Sequence, residues 1–362
     1  MTLITNATAL LADIAVETDR TDAVQSFVKQ ETVLVTLTTA DGLVGTGYAY
    51  TIGTGGSSVL ALLQEHLLPL LDGQDARNVE GLWQALFGHT RATTTGAITS
   101  LALAAVDTAL WDLRCKRAGE PLWRLAGGHR REIPVYDTEG GWLHLGTEDL
   151  VKSALAAQEA GFSGVKIKVG KPHPAEDAER LRAVREAVGP GLHIMTDANQ
   201  SQSLSGALRL AAALEPYDPY WLEEPMPADD VSGHARLARS TRIPVAVGES
   251  MYSPMQFRGY LETGAASVVQ ADVARIGGIT PWLKVAHLAE TFNVAVCPHF
   301  LMELHVSLAA AVPNGAFVEY IPQLRAVTRT EMVVREGHAV APDAPGIGID
   351  WDMDAIDDRR VA

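Results

Sequence analysis

The chain has 362 residues, 47% of them hydrophobic, which is enough for one large domain, or one large domain plus a smaller one, with a full core and no disulfides. Its 44 acidic against 29 basic residues give a formal charge of −15, which argues against nucleic acid or an anionic membrane as a partner. A small anionic substrate then needs a local positive site.

The first twenty residues lack a basic start ahead of an apolar run, and the longest apolar stretch, 98-ITSLALAAVDTALW-111, is interrupted by Asp107. This predicts neither a signal peptide nor a membrane span. Residues 31-ETVLVTLTTADGLVGTGYAY-50 are two β-rich runs around Asp41-Gly42, a hairpin signature. Helical apolar spacing follows over 59–71, 79–87 and 97–117. The string 52-IGTGGSS-58 lacks the Lys-Ser/Thr ending of a phosphate loop and the spacing of a dinucleotide fingerprint, so it reads as a mobile surface loop. Cys115 and Cys297 form no CxxC pair and read as inert buried thiols, consistent with a reducing cytoplasm.

From about residue 133 short β-like runs alternate with amphipathic or Ala-rich helical segments. The runs are 133–138, 164–170, 193–199, 220–225, 245–249, 268–274, 293–299 and 317–320, and eight is the number a closed βα barrel needs. The tail, 332–352, returns to β-like and turn-rich composition and is expected to pack back on the first domain, making that domain discontinuous.

Barrel sites form where strands end. Asp197, Glu223 and Glu249 close the third, fourth and fifth runs at intervals of 26 residues, one βα unit each. Each acid alone reads as a solvated loop-end charge; three at successive strand ends do not. With adjacent strands about 4.8 Å apart, such carboxylates repel unless a cation sits among them. All-oxygen ligation with room for water and substrate suits Mg²⁺ rather than zinc. Alternation selects Glu223 over Glu224, because Trp221 and Glu223 share one face.

In 164-GVKIKVG-170 the same alternation puts Val165, Ile167 and Val169 on one side and Lys166 and Lys168 on the other. Two buried ammoniums imply a substrate carboxylate, nearby acids, or both. Their mutual repulsion is expected to depress their pKa values and to suit one of them as a general base. His299 ends the seventh run and Asp272 lies in the sixth, so a carboxylate on a neighbouring strand is placed to fix the imidazole tautomer. Glu319, in the eighth run, is expected as a hydrogen-bond donor if its surroundings keep it protonated. His305 falls in the following helix and reads as structural.

These residues resemble the enolase superfamily, mandelate racemase subgroup, over essentially the whole chain. The motifs are KIK at 166–168, DAN at 197–199, EEP at 223–225, GE at 248–249, 272-DVARIGG-278, PHF at 298–300 and VEY at 318–320. The resemblance implies an α/β fold, a TIM-like (β/α)7β barrel over 131–324 under an α+β capping domain, 1–130, with 325–362 packing back on it. It implies Asp197, Glu223 and Glu249 as Mg²⁺ ligands, Lys168 and His299 as bases, and Asp272 behind the histidine. Glu319 would bind the substrate carboxylate, assisted by Lys166 and Asn199.

Within the subgroup the chain looks most like acid-sugar dehydratases of the talarate/galactarate type, through 136-YDTEGGWLH-144, 165-VKIKVGKP-172 and 298-PHFLMELHVSLAAAVP-313. The implied reaction removes the α-proton of an aldarate to an enediolate, which loses its β-hydroxyl to give a 2-keto-3-deoxy acid. Alternative fates are cycloisomerisation of a lactone or anhydro sugar, racemisation or epimerisation; a metal-binding barrel without catalysis is a third reading. The resemblance also implies self-association. Cap loops 17-ETDRTDAVQSF-27 and 48-YAYTIGTGGSS-58 are expected to set specificity, with Arg20 a candidate for a distal carboxylate.

Overall fold

The computed structural model describes residues 2–361. The chain opens with an antiparallel sheet of β1 (Ile4–Ala15), β2 (Lys29–Thr39) and β3 (Val44–Ile52), with β2 in the middle. The predicted hairpin is β2–β3. Strand β1 had no signal of its own: its run mixes Ala, Asn and Asp, which favour strands weakly. Pairing with β2 makes it a strand, from Ile4 opposite Thr39 to Ala15 opposite Lys29.

Helix Ala97–Ala118 crosses β3 closely because Gly47 lies beneath it. A Cβ at Gly47 would stand 2.2 Å from the Ala105 carbonyl oxygen. The segment predicted helical over 59–71 is helical but divides into an α-helix, Gly56–Leu62, a π turn, Leu63–Leu67, and a 3₁₀ turn, Leu68–Leu71. The Gly-rich string expected to be a mobile loop is partly the start of that helix. Gly56 is buried there and donates its N–H to Glu31.

All eight predicted runs contain a barrel strand: β4 (Glu132–Asp137), β5 (Gly164–Lys168), β6 (His193–Asp197), β7 (Trp221–Glu223), β8 (Val245–Val247), β9 (Val268–Val269), β10 (Ala295–Val296) and β11 (Val318–Tyr320). Strands β4 to β10 pair in parallel in chain order, and β11 returns beside β4. A bridge between Val296 and Gly315 closes the ring, with the Ala316 N–H donating to the Val296 carbonyl at 2.9 Å. Inside, Tyr136, Met195, Trp221, Ala246, Val268, Cys297 and Phe317 form an apolar cluster. Both cysteines are buried and unpaired, and burial pushes each thiol up to about 12, so they are inert.

The tail divides between the two units. Strands β12 (Val333–Arg335) and β13 (His338–Val340) form a hairpin that pairs antiparallel with barrel strand β4. Farther on, the Asp13 N–H donates to Arg359 and the Val361 N–H to Leu11, tying the end of the chain to β1. The segment expected against the cap therefore serves both. Among the described residues, no helix is long and apolar enough to cross a membrane.

Cap and barrel also meet at Asp107. Its carboxylate accepts from the N–H (2.8 Å) and hydroxyl (2.7 Å) of Thr280, at the start of helix Ile279–Thr291. Burial outweighs these bonds and pushes the carboxyl up from 3.8 to about 7. The folded chain therefore holds this proton longer than the unfolded chain, so stability falls as pH rises from about 4 to 7 and levels off above. Asp107→Asn is expected to remove that slope, a difference of up to about 4 kcal/mol between the two ends of the window. Urea unfolding of both proteins at pH 4 and pH 8 checks it, and parallel curves would refute it.

Candidate active site

Strand register assembles the first three charged groups. Lys168 lies opposite Asp197, and Asp197 opposite Glu223, each the last residue of its strand. Glu249 stands two residues past β8, and Asp272 and His299 each three residues past β9 and β10. Glu249 reaches this level because Gly248, at φ 153°, lets the chain pass the Gln270 backbone; a Cβ there would meet it at 2.6 Å.

Asp197, Glu223 and Glu249 each offer one oxygen, and the three atoms lie within 4.8 Å of one another, all on buried residues. Among the described residues, Oε2 of Glu249 has no hydrogen-bond partner, although His299 Nε2 lies 3.1 Å away, and the buried Oδ1 of Asn199 has none either. A carboxylate cluster with an orphaned oxygen fits a hard divalent cation, whose charge replaces the missing donors. Burial and the Asp197 charge push the Glu223 carboxyl up to about 8, as expected where three acids share one space. Glu224, on the opposite face, turns away and accepts from the Ser250 N–H and hydroxyl.

Both lysines face inward and are buried. Lys166 Nζ donates to Glu223 at 3.1 and 3.2 Å and stands 2.8 Å from Glu319 and 3.5 Å from Asp197. Lys168 Nζ donates to Asp197 Oδ2 at 2.6 Å. The expected mutual depression does not govern them. Burial pushes Lys168 down, but the attraction of Asp197, with Glu249 and Glu223 behind it, outweighs both burial and Lys166, and the ammonium is held above its ordinary range. Lys166 is raised as well, by Glu223 and Glu319 against burial. Asp197 is thus the charge that does most to hold Lys168 protonated.

His299 Nδ1 and Asp272 Oδ2 are 2.9 Å apart, and the other Asp272 oxygen accepts from the backbone N–H groups of Ala274 and Arg275. With Oδ2 an acceptor, Nδ1 carries the hydrogen and Nε2 faces Glu249. Burial lowers the imidazole pKa, but Glu249 and Asp272 hold it above its ordinary value. Glu319 departs from expectation. Burial favours its neutral form, yet Lys166 and His299 outweigh burial and hold it well below the carboxylate range, so it is an ionised acceptor. It takes hydrogen bonds from the Thr138 hydroxyl and the Phe300 N–H. His305 accepts from the Val273 N–H and sits buried behind the site.

Arg20 also departs from expectation. It is 6% exposed and its guanidinium is committed: to both oxygens of Glu139, to the Gln323 side chain at 2.8 Å and to the Pro322 carbonyl at 2.9 Å. It fastens the cap loop to barrel loops after β4 and β11, which leaves it unsuited to a distal carboxylate. Two cap residues escaped the sequence reading. Asp22 is buried, its Oδ1 fixed by the Val24 and Gln25 N–H groups; burial raises its carboxyl, against the opposing charge of Lys168. Tyr50 donates its hydroxyl to Asp272 Oδ2 at 2.7 Å. Alternation along β3 groups Tyr50 with Tyr48, but nothing local names its partner.

Two family models match: "Enolase C-terminal domain-like" over residues 149–355, and "Mandelate racemase / muconate lactonizing enzyme, N-terminal domain" over 11–127. The chain is 35% identical over 316 residues to L-talarate/galactarate dehydratase of Salmonella typhimurium, covering 87% of this chain and 79% of that one. It is 37% identical over 327 residues to 3,6-anhydro-alpha-L-galactonate cycloisomerase of Streptomyces coelicolor, covering 90% of each. The crystal structure of the Salmonella dehydratase with Mg and L-lyxarohydroxamate matches with a TM-score of 0.94 at 32% identity, over 99% of this chain and 93% of that one. With both halves matched and the fold shared end to end, the chain belongs to the mandelate racemase/muconate lactonizing enzyme family of the enolase superfamily.

Proposed function

We propose that the protein is a Mg²⁺-dependent acid-sugar dehydratase acting on an aldarate of the galactarate/L-talarate type. The observation that carries this reading is the arrangement of Lys168 and the His299–Asp272 pair on β5 and beyond β10, strands separated around the barrel, with the three carboxylates between them in the strand order. Asp197, Glu223 and Glu249 would hold the ion, which supplies the positive charge that makes a proton beside a carboxylate removable. Mg²⁺ with a Lys or His base is this superfamily's established solution to that problem.

The chain's own residues supply the rest. Lys166 presents a positive charge for the substrate carboxylate, with Glu319 and Asn199 at its edge. Lys168 Nζ or His299 Nε2 takes the α-proton, according to the α-configuration. In the dehydration His299, protonated on Nε2 either by the α-proton it has taken or, where Lys168 is the base, from the outset, gives that proton to the departing β-hydroxyl, which leaves as water. The resulting enol tautomerises to the 2-keto-3-deoxy acid. The Arg20–Glu139 fastening holds the cap loop down and keeps bulk water from the enediolate.

A second reading, cycloisomerisation of an anhydro-sugar acid, is supported by the 37% identity to the Streptomyces cycloisomerase. Both start with the same proton abstraction. Incubation with galactarate, L-talarate and a panel of further acid sugars in D₂O with Mg²⁺ is expected to yield a 2-keto-3-deoxy product. Deuterium uptake or ring opening without water loss would favour the second reading, and no reaction across the panel would defeat both.

A further inference from the structure

The least expected feature of the site is that a capping-domain side chain enters the barrel's catalytic pair. Tyr50 and Asp272 are 222 residues apart, and the phenol donates to Asp272 Oδ2 at 2.7 Å, the same oxygen that faces His299 Nδ1 at 2.9 Å. The other oxygen takes the Ala274 N–H at 2.8 Å and the Arg275 N–H at 3.2 Å. Four donors thus meet the four lone-pair directions of one buried carboxylate, and none is left to turn toward.

The Tyr50 ring provides a second restraint. It stacks on Phe300 with centroids 4.6 Å apart and planes at 28°, and Phe300 stacks on His299 at 5.3 Å and 16°. The three rings form a pile with the imidazole at one end. Phe300 holds φ 69°, a left-handed conformation that a bulky residue keeps only when its surroundings impose it. In that conformation its N–H donates to Glu319 Oε2 at 2.8 Å. The guanidinium of Arg275 lies 5.8 Å from the opposite partner of this pile, the Tyr50 ring.

We propose that Tyr50 is a positioning residue: through Asp272 and Phe300 the cap sets the orientation and tautomer of His299, so the His299 side of the site works only when the cap is seated. The inference rests on the function proposed above. Lys168 donates to Asp197 instead and, among the described residues, makes no hydrogen bond with Tyr50, so the two bases depend on the cap unequally. Burial holds the phenol well above its ordinary pKa, so the hydroxyl remains a donor.

The test uses the full-length, Mg²⁺-loaded protein and two single-atom changes. Tyr50→Phe removes the bonded hydroxyl and keeps the ring. Tyr48→Phe, two residues earlier on β3, removes a buried hydroxyl that has no partner among the described residues and serves as the matched control. For Tyr50→Phe, α-deuterium exchange is expected to fall about 10–100-fold for the member of a C2-epimeric acid-sugar pair that His299 serves, with KM little changed, while the member served by Lys168 keeps its rate. Tyr48→Phe leaves both rates unchanged.

A substrate-free reading accompanies this. In ¹⁵N-labelled protein the His299 Nδ1–H resonance is expected to be sharp in wild type and in Tyr48→Phe, and to broaden or exchange rapidly in Tyr50→Phe. Equal losses on both epimers, or an unchanged ring resonance, would overturn the proposal. If the wild type neither exchanges nor dehydrates either epimer, the functional reading fails and the ring resonance alone decides the role of Tyr50.

Discussion

Lys168→Ala is expected to lower kcat by about 10²–10⁴-fold on an acid sugar whose α-proton faces Lys168, with a much smaller change in KM. The ammonium contacts Asp197 at 2.6 Å on the inner face of the barrel, whereas Lys166, the residue proposed above to meet the substrate carboxylate, bonds Glu223. On the proposed function, removing Lys168 would take away the proton acceptor and leave the carboxylate-binding charge in place. His299→Asn gives the complementary result on the opposite α-configuration. Single-turnover exchange in D₂O measures both, and a Lys168→Ala protein that turns over every acid sugar like wild type would refute the assignment of bases. The variant also leaves Asp197 without its nearest cation, so metal-free Lys168→Ala is expected to be less stable than wild type and to recover on loading with Mg²⁺.

Removing the divalent ion is expected to have the largest effect, complete loss of turnover with EDTA and recovery with Mg²⁺. The same ion raises the thermal midpoint, because a ligand that binds only the folded state at 100 times its Kd adds about 2.7 kcal/mol. Glu223→Gln separates the two functions of the carboxylate. The metal-free fold already favours the neutral form of this carboxyl, which burial and Asp197 push up to about 8. The variant is then expected to unfold within about 1 kcal/mol of the metal-free wild type, while losing activity and the Mg²⁺-dependent rise in midpoint. Calorimetry with and without Mg²⁺ checks this. A Glu223→Gln protein with an undiminished Mg²⁺ shift would place the ion elsewhere.

The barrel and its ring of acids were legible because both follow from short-range rules. A period of two aims Lys166, Lys168 and Glu223 inward, and a 26-residue βα unit repeats that aim on the next strand, so Asp197, Glu223 and Glu249 converge without any knowledge of distant contacts. The cap hairpin was legible for the same reason, whereas β1 was not, because its side chains favour a strand only once β2 lies beside it.

What each charge does once it arrives was decided by the tertiary structure. Like-charge proximity in KIK argued for lowered lysine pKa values, yet Asp197 and Glu223, supplied by neighbouring strands, reverse the sign. Glu319 was expected to donate only if its surroundings kept it protonated, and it is an ionised acceptor because Lys166 stands 2.8 Å away. Arg20 finds Gln323 at a separation of 303 residues and Tyr50 finds Asp272 at 222. Alternation and repeat length fix where a side chain points, and the sequence alone determines that much. Protonation state and hydrogen-bond partner depend on the sum of burial and all nearby charges, and only the folded chain brings those together.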